Sequence, residues 1–304
     1  MNVKEISIVI VTHNSEKDIY DCLSSIFAYN DIGSALEVIV VDNNSNDFPS
    51  MKNRICRTYE DRVRVLANDT NGGYGQGNNV GIQIATAPIV AIMNPDVRLT
   101  MPLFQDVLKT LQPLHAIMCG GMQYYAPSQK ACSYYPVYTL PPFTRFLLHY
   151  FGMKRNTYLY KYMWLQGAFF FIKRKEFMSI GGFDEHIFMY GEEFDIHERL
   201  LKAYPQAKFH FLKHCKYIHL AGEREFSPAQ YEAQLRSLLY IMTKGGHSPL
   251  SFLRKEKLFT IIAYRFTNFA NYLHHRDKRL PLNTALEVIN RLILEYSSIS
   301  TQTI

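Results

Sequence analysis

A chain of 304 residues, 47% hydrophobic and 20% charged, is long enough for one large α/β domain with a smaller appendage, and its globular composition excludes a disordered chain. The formal net charge of +6 is modest and by itself selects neither anionic substrates nor a membrane surface. Five cysteines (22, 56, 119, 132 and 215), odd in number and without a Cys-x-x-Cys pair, argue against a disulfide framework or zinc cluster and fit a reducing cytosol.

A strand-like run begins directly after the first five residues, so no secretory signal is expected. Residues 6–12, 36–42, 64–67 and 89–93 read as strands alternating with helix-length amphipathic segments, the pattern of parallel βα units. Between the first two, residues 16–29 carry Ile19, Cys22, Leu23, Ile26 and Phe27 at helical spacing, with Ser15 as the N-cap and Asp18 three residues on. From Leu103 the pattern is mixed: a helix to about residue 111, a strand over 117–124, and a Pro- and aromatic-rich stretch over 136–146. A strand over 164–172, a short helix over 173–180 and a longer one over 192–204 come next. After His219 the chain reads as helical to its end, which places a domain boundary near Glu223 and divides the chain into 1–222 and 223–304. Apolar runs such as 168–172 fall far short of the about 18 residues a membrane span needs, so a soluble or peripheral protein is expected.

Several strand ends carry candidate chemistry. Asp42, in Val41-Asp42-Asn43-Asn44-Ser45, can accept a hydrogen bond from a base imide or ribose hydroxyl, or simply build a turn. Asn71-Gly72-Gly73-Tyr74-Gly75 opens a helix, where backbone can approach a phosphate or sugar closely; a glycine-lightened turn explains it equally. Asn94-Pro95-Asp96 sets a carboxylate at the sheet edge, where a hard cation bridging a diphosphate needs oxygen ligands, although an Asp after a strand is also an ordinary turn or cap. Glu192-Glu193-Phe194-Asp195 opens a helix whose dipole favours acids, but the surrounding Phe183, Phe188 and Tyr190 are unusual company for a merely solvated face. His219 ends a strand and reads as a ligand or a structural histidine.

The order and spacing of these segments resemble glycosyltransferase family 2, inverting enzymes of the GT-A nucleotide-sugar fold, over about residues 6–222. The resemblance implies an α/β fold, a mostly parallel central sheet flanked by helices, here with a helical C-terminal extension. Val9-Ile10-Val11-Thr12-His13-Asn14 looks like the family's opening strand, with His13 where Tyr is commoner. The glycine-rich segment with Asn78-Asn79-Val80-Gly81, and the Asn-Pro-Asp form of the usual Asp-x-Asp, are similar to the rhamnosyltransferase-like branch. Trp164-Leu165-Gln166-Gly167-Ala168 resembles the strand beside the acceptor site, and Glu192-Glu193-Phe194-Asp195 the Glu-Asp-x-Asp segment, with Glu at the base position. His219-Leu220-Ala221-Gly222 is similar to the late His-x-x-Gly motif. The same resemblance implies a donor site at Thr12, Asn14, Asp42, Asn71, Gly72, Gly73, Asn78, Asn94, Gln166 and Gly167, with Asp42 on the base. Asp96 and His219 would hold Mn2+ or Mg2+, and Glu193, or its neighbour Glu192, would act as catalytic base.

The expected reaction moves a sugar, rhamnose by first choice, from a nucleotide-diphosphate donor to a hydroxyl of a glycan or lipid-linked glycan in cell-surface polysaccharide synthesis. No nucleic-acid partner is expected, and the expected place is the cytoplasm, at the inner face of the cell membrane. A basic, aromatic tail, Lys244 to Arg279, reads as a face for that membrane or, equally well, as a solvated helical surface or an oligomer contact. A nucleotidyltransferase is the alternative enzyme, but Thr12-His13-Asn14-Ser15 lacks the basic, glycine-rich phosphate loop it would carry. A non-catalytic nucleotide-sugar or glycan-binding subunit is the other alternative, opposed by the joint presence of Asp96, Glu193 and His219.

Overall fold

The computed structural model describes residues 3–220, 225–273 and 280–302. In chain order its elements are β1 (Ile6–Thr12), α1 (Glu16–Ala28), β2 (Leu36–Asn43), α2 (Phe48–Tyr59), β3 (Val63–Asn68), α3 (Gly73–Ile84), β4 (Ile89–Met93), β5 (Val97–Leu99) and α4 (Phe104–Leu111). Next come β6 (Ala116–Ala126), β7 (Gln129–Lys130), β8 (Tyr134–Pro136), α5 (Pro142–Arg155), β9 (Met163–Leu165), β10 (Phe169–Lys173), α6 (Arg174–Ser179), α7 (Glu192–Ala203) and β11 (Lys208–His219). Three helices close the chain, α8 (Pro228–Lys244), α9 (Pro249–Leu273) and α10 (Leu282–Gln302). Contacts divide it into two compact units, Met1–Tyr135 with Tyr158–Gly222, and Pro136–Thr157 with Glu223–Ile304. The segment 136–157, expected within the first domain, thus groups with the C-terminal helices.

The first unit is built on a sheet of order β3-β2-β1-β4-β10-β6-β11-β5, with β7 beside β6. Parallel pairing joins β3, β2, β1 and β4, and again β6 and β11, whereas β10 runs against both its neighbours. Every residue of β2 and β4 is buried, as expected for strands covered on both faces. The apolar stripe of α1, Ile19, Cys22, Leu23 and Ile26, packs into the main core with Ile6, Ile8 and Ile10 of β1. Parallel pairing of β1, β2 and β4 brings their carboxyl ends to one edge, where open α/β sheets bind ligands.

Two local expectations are corrected. The strand read over 164–172 is two strands, because Gln166-Gly167-Ala168 turns between β9, which pairs with β8, and β10, which joins the main sheet. Ser15 stands at the N-cap of α1, but its hydroxyl donates to the carbonyl of His13 (3.1 Å) and makes no cap hydrogen bond.

The second unit consists of α5 with α8, α9 and α10. Inside it Arg145 and Glu256 form a buried ion pair at 2.6 Å, and the guanidinium stacks on Phe259 and Tyr138 at 4.0 and 4.6 Å. A charge removed from water at this cost needs its partner, so this pair ties α5 to α9. Between α8 and α10, Arg236 bridges Glu232 and Glu295 at 2.8 Å, and Arg291 pairs with Glu232.

Candidate active site

Two interlocked loops succeed β1 and β2. Asn14 and Asn44 both adopt the left-handed region (φ 51° and 59°), which asparagine tolerates better than most residues. Asp42 is buried beneath them. Its Oδ1 accepts from the hydroxyls of Thr12 (2.9 Å) and Ser45 (2.5 Å), and its Oδ2 from the Ser45 amide (2.8 Å). Thr12 is likewise buried, so these two side chains shape the edge, while His13, Asn14 and Asn44 are exposed on it. The Asn14 side-chain oxygen accepts from the Asn46 amide (3.0 Å), stitching the two loops together.

The glycine-rich segment is held just as closely. Asn71 accepts from the amide of Gly73 (3.1 Å), and Asn43 donates to the Gly73 carbonyl (2.9 Å). Gly73 has φ +92°, and a Cβ there would lie 2.3 Å from the carbonyl oxygen of Phe188; the next amide, Tyr74, donates to that same oxygen (3.1 Å). Only glycine permits this approach between the start of α3 and the 183–190 segment. Gly72 is the N-cap of α3 and no acid occupies its first turn, but the amides of Gly72, Gly73 and Tyr74 already donate to Thr70, Asn71 and Phe188, so this end offers the helix dipole and not free amides. Asn78 donates to the Tyr74 carbonyl (2.9 Å), and its own buried Oδ1 has no partner among the described residues.

Beyond β4, the amide of Asn94 donates to the carbonyl of Ala168 (2.9 Å), and the amide of Leu220 to the carbonyl of Asp96 (2.9 Å). Arg98 braces this turn through the carbonyls of Pro95 and Val97 (both 2.9 Å). The pairing of β5 with β11 sets Val97 opposite His219 and brings Nε2 of His219 to 3.3 Å from Oδ1 of Asp96. Nδ1 of His219, Oδ1 of Asn94 and Oε1 of Gln166 are buried without partners among the described residues. One carboxylate and one imidazole 3.3 Å apart on a shielded edge are a pair that could hold a hard divalent cation such as Mn2+ or Mg2+.

The acids opening α7 are presented by a strained entry, Tyr190 at φ 76° and Gly191 at φ 95°. Asp195 is buried and paired with Arg199 (2.6 Å), whose other donors hold the carbonyls of Ile180 and Gly182 at 2.7 Å; this acid fastens the glycine turn. Glu193 lies against Gly167, where a Cβ would sit 1.5 Å from its Oε1. Burial raises the pKa of both Glu192 and Glu193 above the ordinary carboxylate range, and the charge of Glu193 raises that of Glu192 further. Glu192 is the more deeply enclosed, with one buried oxygen unpartnered among the described residues.

The sheet therefore gathers Gly167, Asn94, Asp96, His219 and Glu193. Tyr74, absent from the residues expected on sequence alone, joins them: its hydroxyl donates to the Gly167 carbonyl (2.8 Å). Burial first, then the charges of Glu193, Glu192 and Asp96, hold its phenol well above its ordinary pKa, so it remains a donor. Its signal in the sequence is a bulky aromatic in an otherwise glycine-rich loop. A separate group, Asp106, His214 and Cys215, brings ligand atoms within 4.8 Å of one another, earlier along β11 than His219. Ala221 and Gly222 of the late motif lie outside the described residues.

Comparison with known proteins bears on the family and the fold. A mannosyltransferase, PcManGT from Pyrobaculum calidifontis, solved with GDP-Man and Mn2+, superposes with a TM-score of 0.61 at 16% identity, covering 99% of this chain and 84% of that one. The rhamnosyltransferase WbbL of Escherichia coli (strain K12) is 23% identical over 272 residues, 83% of this chain and 98% of that protein. Glycosyltransferase GlyG of Streptococcus pneumoniae serotype 4 is 28% identical over 124 residues, and the match spans 39% of its length. The model of the family "Glycosyl transferase family 2" matches residues 7–190, which contain the glycine-rich segment, Asp96 and Gly167, and the chain belongs to that family.

Proposed function

We propose that this glycosyltransferase moves a sugar from a nucleoside-diphosphate donor to a hydroxyl of a glycan or lipid-linked glycan acceptor, with inversion at the anomeric carbon. The observation that carries the reading is the seat of Glu193 on Gly167, one residue from the carbonyl that anchors the Asn94-Pro95-Asp96 turn. In this reading Glu193 is the base, and Asp96 and His219, on turns linked to its seat through Ala168 and Asn94, are the cation ligands.

The glycine-rich start of α3 borders the diphosphate, whose negative charge its helix dipole favours, and the loops after β1 and β2 border the nucleoside. Asp96 and His219 would hold Mn2+ or Mg2+, which when bound supplies positive charge to the departing diphosphate. An Oε of Glu193 takes the proton of the acceptor hydroxyl as its oxygen forms a bond to the anomeric carbon. The bond from that carbon to the diphosphate oxygen breaks, and the electron pair leaves with the nucleoside diphosphate. A raised carboxylate pKa brings the base nearer to the proton it accepts, which favours general-base catalysis near neutral pH. Tyr74 keeps the carbonyl of Gly167 turned toward it and so fixes the floor under the base. The motifs resembling the rhamnosyltransferase-like branch favour a deoxythymidine- or uridine-diphosphate sugar, rhamnose first, in line with the name of WbbL, whereas the structure of PcManGT holds GDP-Man.

The test is a thermal-shift panel of nucleotide sugars with and without Mn2+, and then detection of transfer. A donor at a hundred times its Kd adds about 2.7 kcal/mol of stability, a shift easily seen. Stabilisation by one nucleotide-sugar class, dependent on the cation, is expected; a panel with no stabilising donor overturns the reading.

A further inference from the structure

We propose that the face formed by α5 and α9 in the second unit is a docking surface for an anionic lipid bilayer. Along α9, Arg254, Leu258, Arg265, Phe269 and Tyr272 recur at helical spacing, and all five are exposed. Phe269 is 60% and Tyr272 71% exposed, which is uncommon for side chains of this size. On α5, Phe143, Tyr150 and Phe151 are exposed along a similar stripe that ends in Lys154 and Arg155. The stripes are continuous, because Phe266 of α9 packs on Phe146 and Tyr150 at ring distances of 5.1 and 4.8 Å.

Charge selects the occupant. The two helices carry seven Lys and Arg and one acid, Glu256, which is buried on Arg145. Once that pair is set aside, Lys154, Arg155, Arg254, Lys255, Lys257 and Arg265 have no acid on their helices to balance them. The α8–α10 side of the same unit differs, since its arginines are met by Glu232 and Glu295 as on an ordinary solvated surface. Cations interleaved with aromatics are the chemistry of an interface where rings enter the headgroup region and bases meet lipid phosphates. Arg155 lies 5.7 Å over the ring of Phe151, as a base does when its stem lies along an apolar surface. No described helix is long and apolar enough to cross a membrane. Arg276, Asp277, Lys278 and Arg279, part of the basic tail seen in the sequence, lie outside the described residues.

Sedimentation of the full chain with vesicles tests this. The protein should pellet with phosphatidylcholine–phosphatidylglycerol vesicles at low salt and much less with pure phosphatidylcholine. Lys255→Glu with Arg265→Glu should lower the bound fraction at least about tenfold, and Phe269→Ser with Tyr272→Ser should weaken the binding that persists at high salt. Leu294→Ser on α10 should bind like the unaltered protein, and all variants should keep its melting temperature and its transfer to a water-soluble acceptor. Protein that stays in the supernatant, charge-reversal variants that bind undiminished, or displacement by an RNA oligonucleotide that binds the same face would each overturn the proposal.

Discussion

Gly167→Ala isolates the position of the base from its charge. The added Cβ would stand 1.5 Å from Oε1 of Glu193, 2.4 Å from Cδ and 2.7 Å from Cγ, whereas ordinary contact begins at 3.4 Å. The carboxylate must therefore retreat by about 2 Å. Gly167 is not in the left-handed region, and the obstructed atoms are the far end of a flexible side chain, so the substitution should fold with little change in melting temperature. A misplacement of about 1 Å can cost about a hundredfold in rate, so kcat should fall at least that much, or about 2.7 kcal/mol of barrier. Steady-state transfer at saturating donor reads kcat, and calorimetry reads the donor Kd, which should hold because the base acts on the acceptor. Combining Gly167→Ala with Glu193→Asp should cost far less than the two separate losses imply, since both displace one carboxylate. A Gly167→Ala enzyme that keeps a third or more of its turnover, or loses affinity for donor in place of kcat, refutes the seat of Glu193 as the catalytic geometry.

The same geometry sets other outcomes. Because burial raises the folded-state pKa of Glu192 above its unfolded value, its ionisation costs stability as pH rises from the ordinary value of 4.5 through the raised one. Glu192→Gln should therefore be more stable than the unaltered chain at about pH 9, by about 1–3 kcal/mol, and no more stable at about pH 4; equal stabilities at both would contradict the shift. Asp96→Ala should abolish cation-dependent donor binding, and His219→Ala should raise the Mn2+ needed for half-activity by at least about tenfold; undiminished transfer in excess chelator would exclude this cation site. Gly73→Ala places a side chain at φ +92° and 2.3 Å from a backbone oxygen, so it should destabilise by about 1–3 kcal/mol or more and weaken donor binding, read by chemical denaturation and calorimetry.

Periodicity carries the first half of the sheet well, because β-branched runs between amphipathic helices leave few other readings. Residues 6–12 and 89–93 form β1 and β4 with the expected limits. It fails where apolar character runs through a turn: residues 164–172 look continuous, yet the chain changes sheets at Gly167, a decision made by tertiary pairing with β8 and β4. The helix α5 is hidden by its aromatics, although Pro142 at its first turn is a recognised start signal. Ser15 stands where an N-cap belongs, but its oxygen accepts from the His13 amide (3.4 Å) and from no amide of α1. The strand-end motifs are legible as an ordered set. The approach of Tyr74 to Gly167, across 93 residues, and of Glu193 to the same glycine are not, because no local pattern encodes a contact made by folding.

The rate of transfer by Glu193→Gln, measured beside its donor Kd and beside Glu192→Gln, bears most directly on the mechanism. Glutamine keeps the size and hydrogen bonding of the side chain but cannot take the proton, so turnover should fall at least about a hundredfold while donor affinity stays nearly unchanged. Loss in Glu192→Gln with activity retained in Glu193→Gln would move the base to the other member of the pair, and turnover retained in both variants would contradict a carboxylate base in this enzyme.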